Sequence, residues 1–207
     1  MSYRVLADYP RRPHFELYRR HPSPFYSVSF ELDATRVRER ARELGASTFA
    51  ALVWTYHRAL EPLAAFRTRF VDGELRLYDA LAIGMTVPAP GRTFSFATLA
   101  FDADAPAWLA RARAVMTDAS TRIDLSGGAA PDFAYYTALP KVPFSSFAHV
   151  PLADPMAGQP EAAFGQLAER GGRTLVPVGV LVNHRYVDGA DLGDLYEALA
   201  ESFHSAF

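Results

Sequence analysis

The sequence predicts an α/β protein built on a mixed sheet. Three observations carry this. Strand-like alternation and helix-like apolar spacing are interleaved along the chain. Some neighbouring strand candidates are joined by a tight turn and others by a helix. Half of the 207 residues are hydrophobic, with no visible linker, so one domain spanning 1–207 can bury a sizeable core.

The elements follow in order. Leu32 to Leu44 reads as an amphipathic helix that Asp33 or Thr35 can cap and Gly45 can end. A second helix runs from Thr48 to about Leu60, with Phe49, Leu52, Val53, Tyr56 and Leu60 on one stripe. Alternation on both sides of Asp72-Gly73 is a hairpin signal. Ile83 to Val87 and Thr93 to Leu99 read as strands, and Ala105 to about Thr117 as a helix. Ser126 to Pro131 is a Gly-rich loop, after which strands return at Phe133 to Leu139 and Phe144 to Val150. Gly171-Gly172 turns into the β-prone run Thr174 to Val182, where Pro177 asks for an edge or a bulge. The last helix begins near Ala190, with Leu192, Leu195, Tyr196, Leu199 and Phe203 on one face.

Composition narrows the function classes. Twenty-one Lys and Arg against 23 Asp and Glu give no basic face for nucleic acid. The absence of cysteine removes disulfides, thiolate nucleophiles and cysteine metal sites, and fits a reducing compartment. The start lacks an apolar signal core, and no apolar run is long enough to span a bilayer, so a cytoplasmic protein without a membrane partner is expected. Fifteen Phe and ten Tyr fill a core first, and can also line an apolar pocket or a subunit interface.

Between the last strand and the last helix lies Asn183-His184-Arg185-Tyr186-Val187-Asp188-Gly189. A histidine where a strand ends can present its imidazole at a cleft, and the neutral ring can take a proton at working pH. His-x-x-x-Asp is also a possible metal pair, but no third ligand is near in sequence, and no metal is expected. A structural histidine satisfied by backbone bonds stands beside the catalytic reading.

The run Leu175 to Leu192 resembles the signature of the chloramphenicol acetyltransferase family, an apolar strand leading into His-His-x-x-x-Asp-Gly and a closing helix. Four further stretches are similar to that family in the same order. They are Tyr9 to Tyr18, Phe66 to Asp79 around Asp-Gly-Glu-Leu, Thr93 to Phe96, and Thr137 to Phe147. The signature alone also occurs in dihydrolipoyl acyltransferases and peptide-synthetase condensation domains.

The resemblance implies a two-layer sandwich of a mixed sheet and packed helices. It implies acyl transfer from acetyl-CoA to a hydroxyl of a small molecule, with chloramphenicol as a candidate and antibiotic resistance as the outcome, by direct attack and without an acyl-enzyme. His184 then occupies the place of the general base and Thr137 that of the serine that donates to the oxyanion. Arg11 matches the arginine that pairs with the motif aspartate, Asp188, to hold the loop. Tyr18, Phe25, Tyr26 and Phe94 fall where acceptor-binding residues are expected, with Phe96 a further wall. A homotrimer with active sites at subunit interfaces is also implied. The chain departs from the pattern at Asn183, which replaces the first His, at Lys141, which replaces a tryptophan, and at Gln166, where a lysine near coenzyme A is frequent. The alternatives are a non-catalytic member that binds acyl-CoA or a small ligand, and a transferase acting on a secondary-metabolite alcohol or amine.

Overall fold

The computed structural model describes residues 2–126 and 130–207. Positions 127–129 of the expected Gly-rich loop therefore lie outside the described residues. In a small sheet, β1 (Tyr3–Val5), β4 (Glu74–Tyr78) and β3 (Thr68–Val71) pair in that order. In the large sheet the order is β2 (Phe25–Asp33), β10 (Arg173–Asn183), β8 (Glu161–Phe164), β7 (Phe133–Ala138), β5 (Ala82–Ala89) and β6 (Thr93–Ala100). A short β9 (Ala168–Arg170) pairs with the start of β10. The β5–β7 and β7–β8 pairs are parallel and the others antiparallel, so the sheet is mixed.

Helices cover one face of this sheet. Among the described residues there are six: α1 (Arg12–Arg19), α2 (Thr35–Glu43), α3 (Thr48–Leu60), the single turn α4 (Ala64–Arg67), α5 (Ala105–Ala119) and α6 (Gly189–Ser205). Because strand side chains alternate, Val176, Val178, Val180 and Val182 of β10 all point into the core. Ala162 and Phe164 of β8, Ala134 and Tyr136 of β7, and Ile83 and Met85 of β5 continue that buried face. Against it lie α2, α3, α5 and α6. The α/β mixed-sheet expectation holds. None of the helices among the described residues is long and apolar enough to cross a membrane.

The expected hairpin forms with Asp72 and Gly73 both at positive φ, 51° and 82°, as a two-residue turn between right-twisted strands requires. Other expectations need correction. Leu32 and Asp33 close β2 instead of opening a helix, and α2 starts at Thr35. Asp33 still accepts from the Thr35 N–H at 3.0 Å, so its cap-like bond forms a turn before the helix. Helix α3 is buried on all sides rather than along one stripe, with ten of its 13 residues inaccessible, because α2, α5 and α6 flank it while the sheet lies below.

Phe144 to Val150 is not a strand. Pro140, Pro143 and Pro151 remove the donors that a ladder would need. Phe144 and Phe147 instead lay their rings against Gly165 and Gly179, where an added Cβ would stand 2.8 Å from Phe144 Cε1 and from Phe147 Cβ respectively. The segment thus crosses the sheet face opposite the helices, and the Phe147 N–H donates to Ser29 Oγ at 3.0 Å. Residues 161–164, not anticipated as a strand, take the central place as β8.

Pro177 lies in an interior strand, not at an edge, and a gap in the ladder accommodates it. In register, β8 ends at Phe164 opposite Val178 and β9 begins at Ala168 opposite Leu175. The Pro177 carbonyl accepts from Gly165 N at 2.9 Å on that side, so its missing N–H faces the break.

Candidate active site

The end of β10 shapes the histidine loop. Asn183, fully buried, donates through Nδ2 to the carbonyls of Pro155 (2.9 Å) and Ala157 (2.7 Å) and accepts from Arg185 N at 2.9 Å. The replacement of a histidine at this position therefore yields a clamp between the loop and residues 155–157. Arg185 is buried too, and its guanidinium donates to the carbonyls of Pro155, Arg19 (3.2 Å) and His21 (3.0 Å). Tyr186 donates from its hydroxyl to Met156 O at 2.7 Å and accepts from Phe70 N.

Arg11 holds the outer side. Its Nη2 lies 2.9 Å from Asp188 Oδ2, and its Nη1 donates to Tyr186 O at 2.8 Å and to the Asp191 carboxylate. Arg11 thus straps the loop to the start of α6. Asp188 caps α6 by accepting from Ala190 N at 3.0 Å, while Asp191 Oδ2 accepts from Asp188 N at 2.8 Å, a reciprocal box. Burial would raise the Asp188 carboxyl, but the Ala190 N–H and the Arg11 charge outweigh it and hold the group below its ordinary value.

His184 sits in the turn that follows, anchored by its N–H to Pro24 O at 2.9 Å. Its ring stacks on Tyr18 of α1, centroids 4.2 Å apart and 16° from parallel, and meets Tyr26 of β2 at 4.8 Å. Its Nδ1 is buried and has no hydrogen-bond partner among the described residues. Tyr26 stays a neutral phenol, since burial and then Asp188 and Asp191 push its pKa up to about 12. Phe25 stands opposite Asn183 in the β2–β10 register, so its side chain projects to the sheet face away from Tyr26.

Thr137 and Phe94 lie elsewhere. A cavity of about 360 Å³ opens on the sheet face that the helices leave free, with Thr86, Phe94, Phe96, Tyr135, Thr137, His149 and Glu161 in its wall. Thr137 Oγ1 is 2.6 Å from Thr86 Oγ1, and Phe94 meets Phe96 edge to face at 5.7 Å. Thr137 is level with Ala163 on β8, which is level with Gly179 on β10. His184 is five residues beyond Gly179, so it lies ~16 Å along and ~10 Å across the sheet, roughly 19 Å from Thr137. One chain therefore gathers Arg11, Tyr18, Tyr26, His184 and Asp188 in one cluster and Phe94 and Thr137 in another. Lys141 and Gln166 are both exposed, near one another through the Gln166 N–H to Val142 O bond of 3.0 Å.

Five residues of these clusters were not singled out from the sequence: Asp191, Thr86, Tyr135, His149 and Glu161. Asp191 completes the Asp-x-x-Asp capping pattern, which was readable at Asp188. His149 and Glu161 meet only through the fold; the one local hint was an acid at the head of the apolar run Ala162 to Phe164.

The model of the family described as chloramphenicol acetyltransferase matches residues 2–200. The chain belongs to the chloramphenicol acetyltransferase family. Within it, the chain is 27% identical over 187 residues to chloramphenicol acetyltransferase 2 of Escherichia coli, covering 89% of this chain and 88% of that one. To the chloramphenicol acetyltransferase of Streptomyces acrimycini it is 26% identical, over 89% and 86% of the two chains. A solved chloramphenicol acetyltransferase superposes with a TM-score of 0.85 at 20% identity, over 98% of this chain and all 100% of that one, which shows the fold.

Proposed function

We propose that the chain transfers an acyl group, acetyl first of all, from an acyl-CoA to a hydroxyl of a small molecule, with chloramphenicol as one candidate acceptor. The observation that carries this is the state of His184. The side chains of Asn183, Arg185 and Tyr186 in its loop each donate to backbone carbonyls, whereas its own Nδ1 makes no hydrogen bond among the described residues. A histidine kept only to brace the loop would make such a bond.

In this reading the neutral His184 ring takes the proton of the acceptor hydroxyl, whose oxygen attacks the thioester carbonyl carbon. The negative charge that develops on the carbonyl oxygen is met by the Thr137 hydroxyl, and Thr86, at 2.6 Å, orients that hydroxyl. Collapse breaks the C–S bond, and the proton on His184 passes to the departing thiolate, giving the ester and free coenzyme A. Arg11 and Asp188 hold the loop and take no proton, and Tyr18 fixes the ring by stacking.

The roughly 19 Å between His184 and Thr137 supports a further part of the reading. A complete site combines His184 of one copy with Thr137 of another, as in a homotrimer with its sites at the subunit interfaces. With no cysteine to be oxidised and an intracellular acyl donor, we place the assembly in the cytoplasm, each chain acting as one domain.

The test is thiol release from acetyl-CoA with chloramphenicol as acceptor, wild type against His184→Ala. Loss of a general base is expected to slow turnover roughly 100- to 10,000-fold. A wild type inactive with chloramphenicol removes that acceptor and leads to a panel of other alcohols. A His184→Ala protein as active as wild type overturns the mechanism.

A further inference from the structure

The wall of the cavity around Thr137 contains more polar chemistry than an apolar acceptor would need. Gly84, Tyr135 and Glu161 form one row across β5, β7 and β8, and Thr137 lies two residues along β7 on the same face. The two rows are therefore ~7 Å apart. Glu161 is only 16% exposed, and its Oε2 lies 3.0 Å from Nδ1 of His149, which is 5% exposed. The other ring nitrogen, Nε2, is 3.1 Å from Gly179 O, so the ring spans from the carboxylate to the β10 backbone. That pairing holds the carboxylate in place but uses only part of its capacity to accept hydrogen bonds.

Beside it, the Tyr135 hydroxyl is buried with no partner among the described residues. Burial, followed by the Glu161 charge, pushes this phenol up to about 12, so it remains a protonated donor and acceptor. Gly84 makes room for the Tyr135 ring, since an added Cβ there would be 2.6 Å from ring carbon Cδ1. An orphan phenol is costly in a cavity that otherwise offers Phe94, Phe96, Val150 and Leu152, and the partly buried Glu161 carboxylate has accepting capacity that His149 leaves free. A ligand hydroxyl that donates to Glu161 and accepts from Tyr135, or a protonated amine that donates to both oxygens, uses that free capacity.

We propose that the acceptor carries, beyond the hydroxyl that is acylated at Thr137, a second hydrogen-bond donor about 7 Å away that Glu161 and Tyr135 hold. The donor is a hydroxyl or a protonated amine at the far end of a small apolar body. His149 is a positioning residue that fixes Glu161. This assignment rests on the acyl-transfer reading only for the name of the group at Thr137; the polar subsite itself can be tested without turnover.

Three benzyl alcohols with one shared body serve as probes, carrying a para-hydroxymethyl, para-aminomethyl or para-methyl group. Calorimetric binding to the assembled protein, with no acyl donor present, is expected to favour one or both donor-bearing compounds over the methyl compound roughly ten- to a hundred-fold. Which of the two binds better tells hydroxyl from amine. In a variant that combines Glu161→Leu with His149→Leu, which replaces the pair by apolar groups, the ratio is expected to fall toward one. Tyr135→Phe, which keeps the ring over Gly84, is expected to lower it several-fold and carries the test if the double variant does not fold. Equal binding of all three compounds, no binding by any, or a ratio that survives in the variants overturns the proposal. Thiol release from acetyl-CoA with the same three compounds separates the two readings. Selective binding without thiol release leaves the subsite and removes acyl transfer. Equal kcat/KM for all three leaves acyl transfer and removes the subsite.

Discussion

At the scale of single residues, the histidine loop is held by groups that are not reactive. Arg185 is buried and its two terminal nitrogens donate to backbone carbonyls, Asn183 clamps residues 155–157, and Arg11 joins the loop to both acids of the α6 cap. Asp188 makes the stability of this arrangement depend on pH. Its folded pKa lies below the ordinary 3.8, so the ionised form is favoured by folding. That contribution is complete above the unfolded value and disappears as the pH falls through the lower folded value. Melting temperature is therefore expected to drop more steeply below about pH 4 in wild type than in Asp188→Asn, which has no such carboxyl to protonate. Thermal scans from pH 7 to pH 3 check this, and parallel slopes would remove the role given to Asp188. Sequence resemblance pointed to the Arg11–Asp188 partnership, 175 or more positions apart, and no local pattern could have done so.

At the scale of elements, glycine decides where aromatic rings can lie. On β10, Gly179 faces Phe147, and a Cβ there would come within 2.8 Å of Phe147 Cβ and 3.0 Å of its ring. Gly179→Ala is expected to destabilise by about 1–3 kcal/mol, because the segment 139–160 must lift from the sheet. Gly193 is different: it sits in the exposed interior of α6 with nothing within 4 Å of an added Cβ. Gly193→Ala is expected to stabilise by about 0.5–1 kcal/mol through the lower entropy of the unfolded chain. Denaturant midpoints measure both, and the opposite ordering would refute the packing argument. The same pair shows what periodicity can reveal. The 3.6-residue spacing of α6 was legible, whereas Phe144 and Phe147 in 139–160 imitate a strand to any reading that counts apolar residues. Their spacing of three suits two glycine notches, Gly179 within β10 and Gly165 just past the end of β8, a fact that belongs to the sheet.

At the scale of the whole molecule, the separation of His184 from Thr137 makes assembly a condition of the proposed activity. Light scattering is expected to give three times the chain mass of 22.8 kDa. Mixing is the sharper test. Chains carrying His184→Ala and chains carrying Thr137→Ala, unfolded and reassembled together at equal amounts, are expected to regain activity. In a random trimer about one interface in four joins an intact His184 to an intact Thr137, so about a quarter of wild-type turnover returns. A mixture no more active than its two components would show that the residues act within one chain or not together.

Local signals alone were enough for the Asp72-Gly73 hairpin, the helices α3, α5 and α6, the long strand β10, and the loop carrying His184 between strand and helix. The sequence also sufficed for membership of the family, because matched stretches occur in the same order over nearly the whole chain. Long-range packing set the rest: β8 at the centre of the sheet, 139–160 across its open face, and His149 against Glu161 in the cavity that Tyr135 and Thr137 also line. The reason is physical. Turn chemistry and amphipathic period act over a few residues and leave a mark in every chain that uses them. A cavity is made by side chains from strands far apart in sequence, and strand order and register, which no local spacing encodes, determine which of them meet.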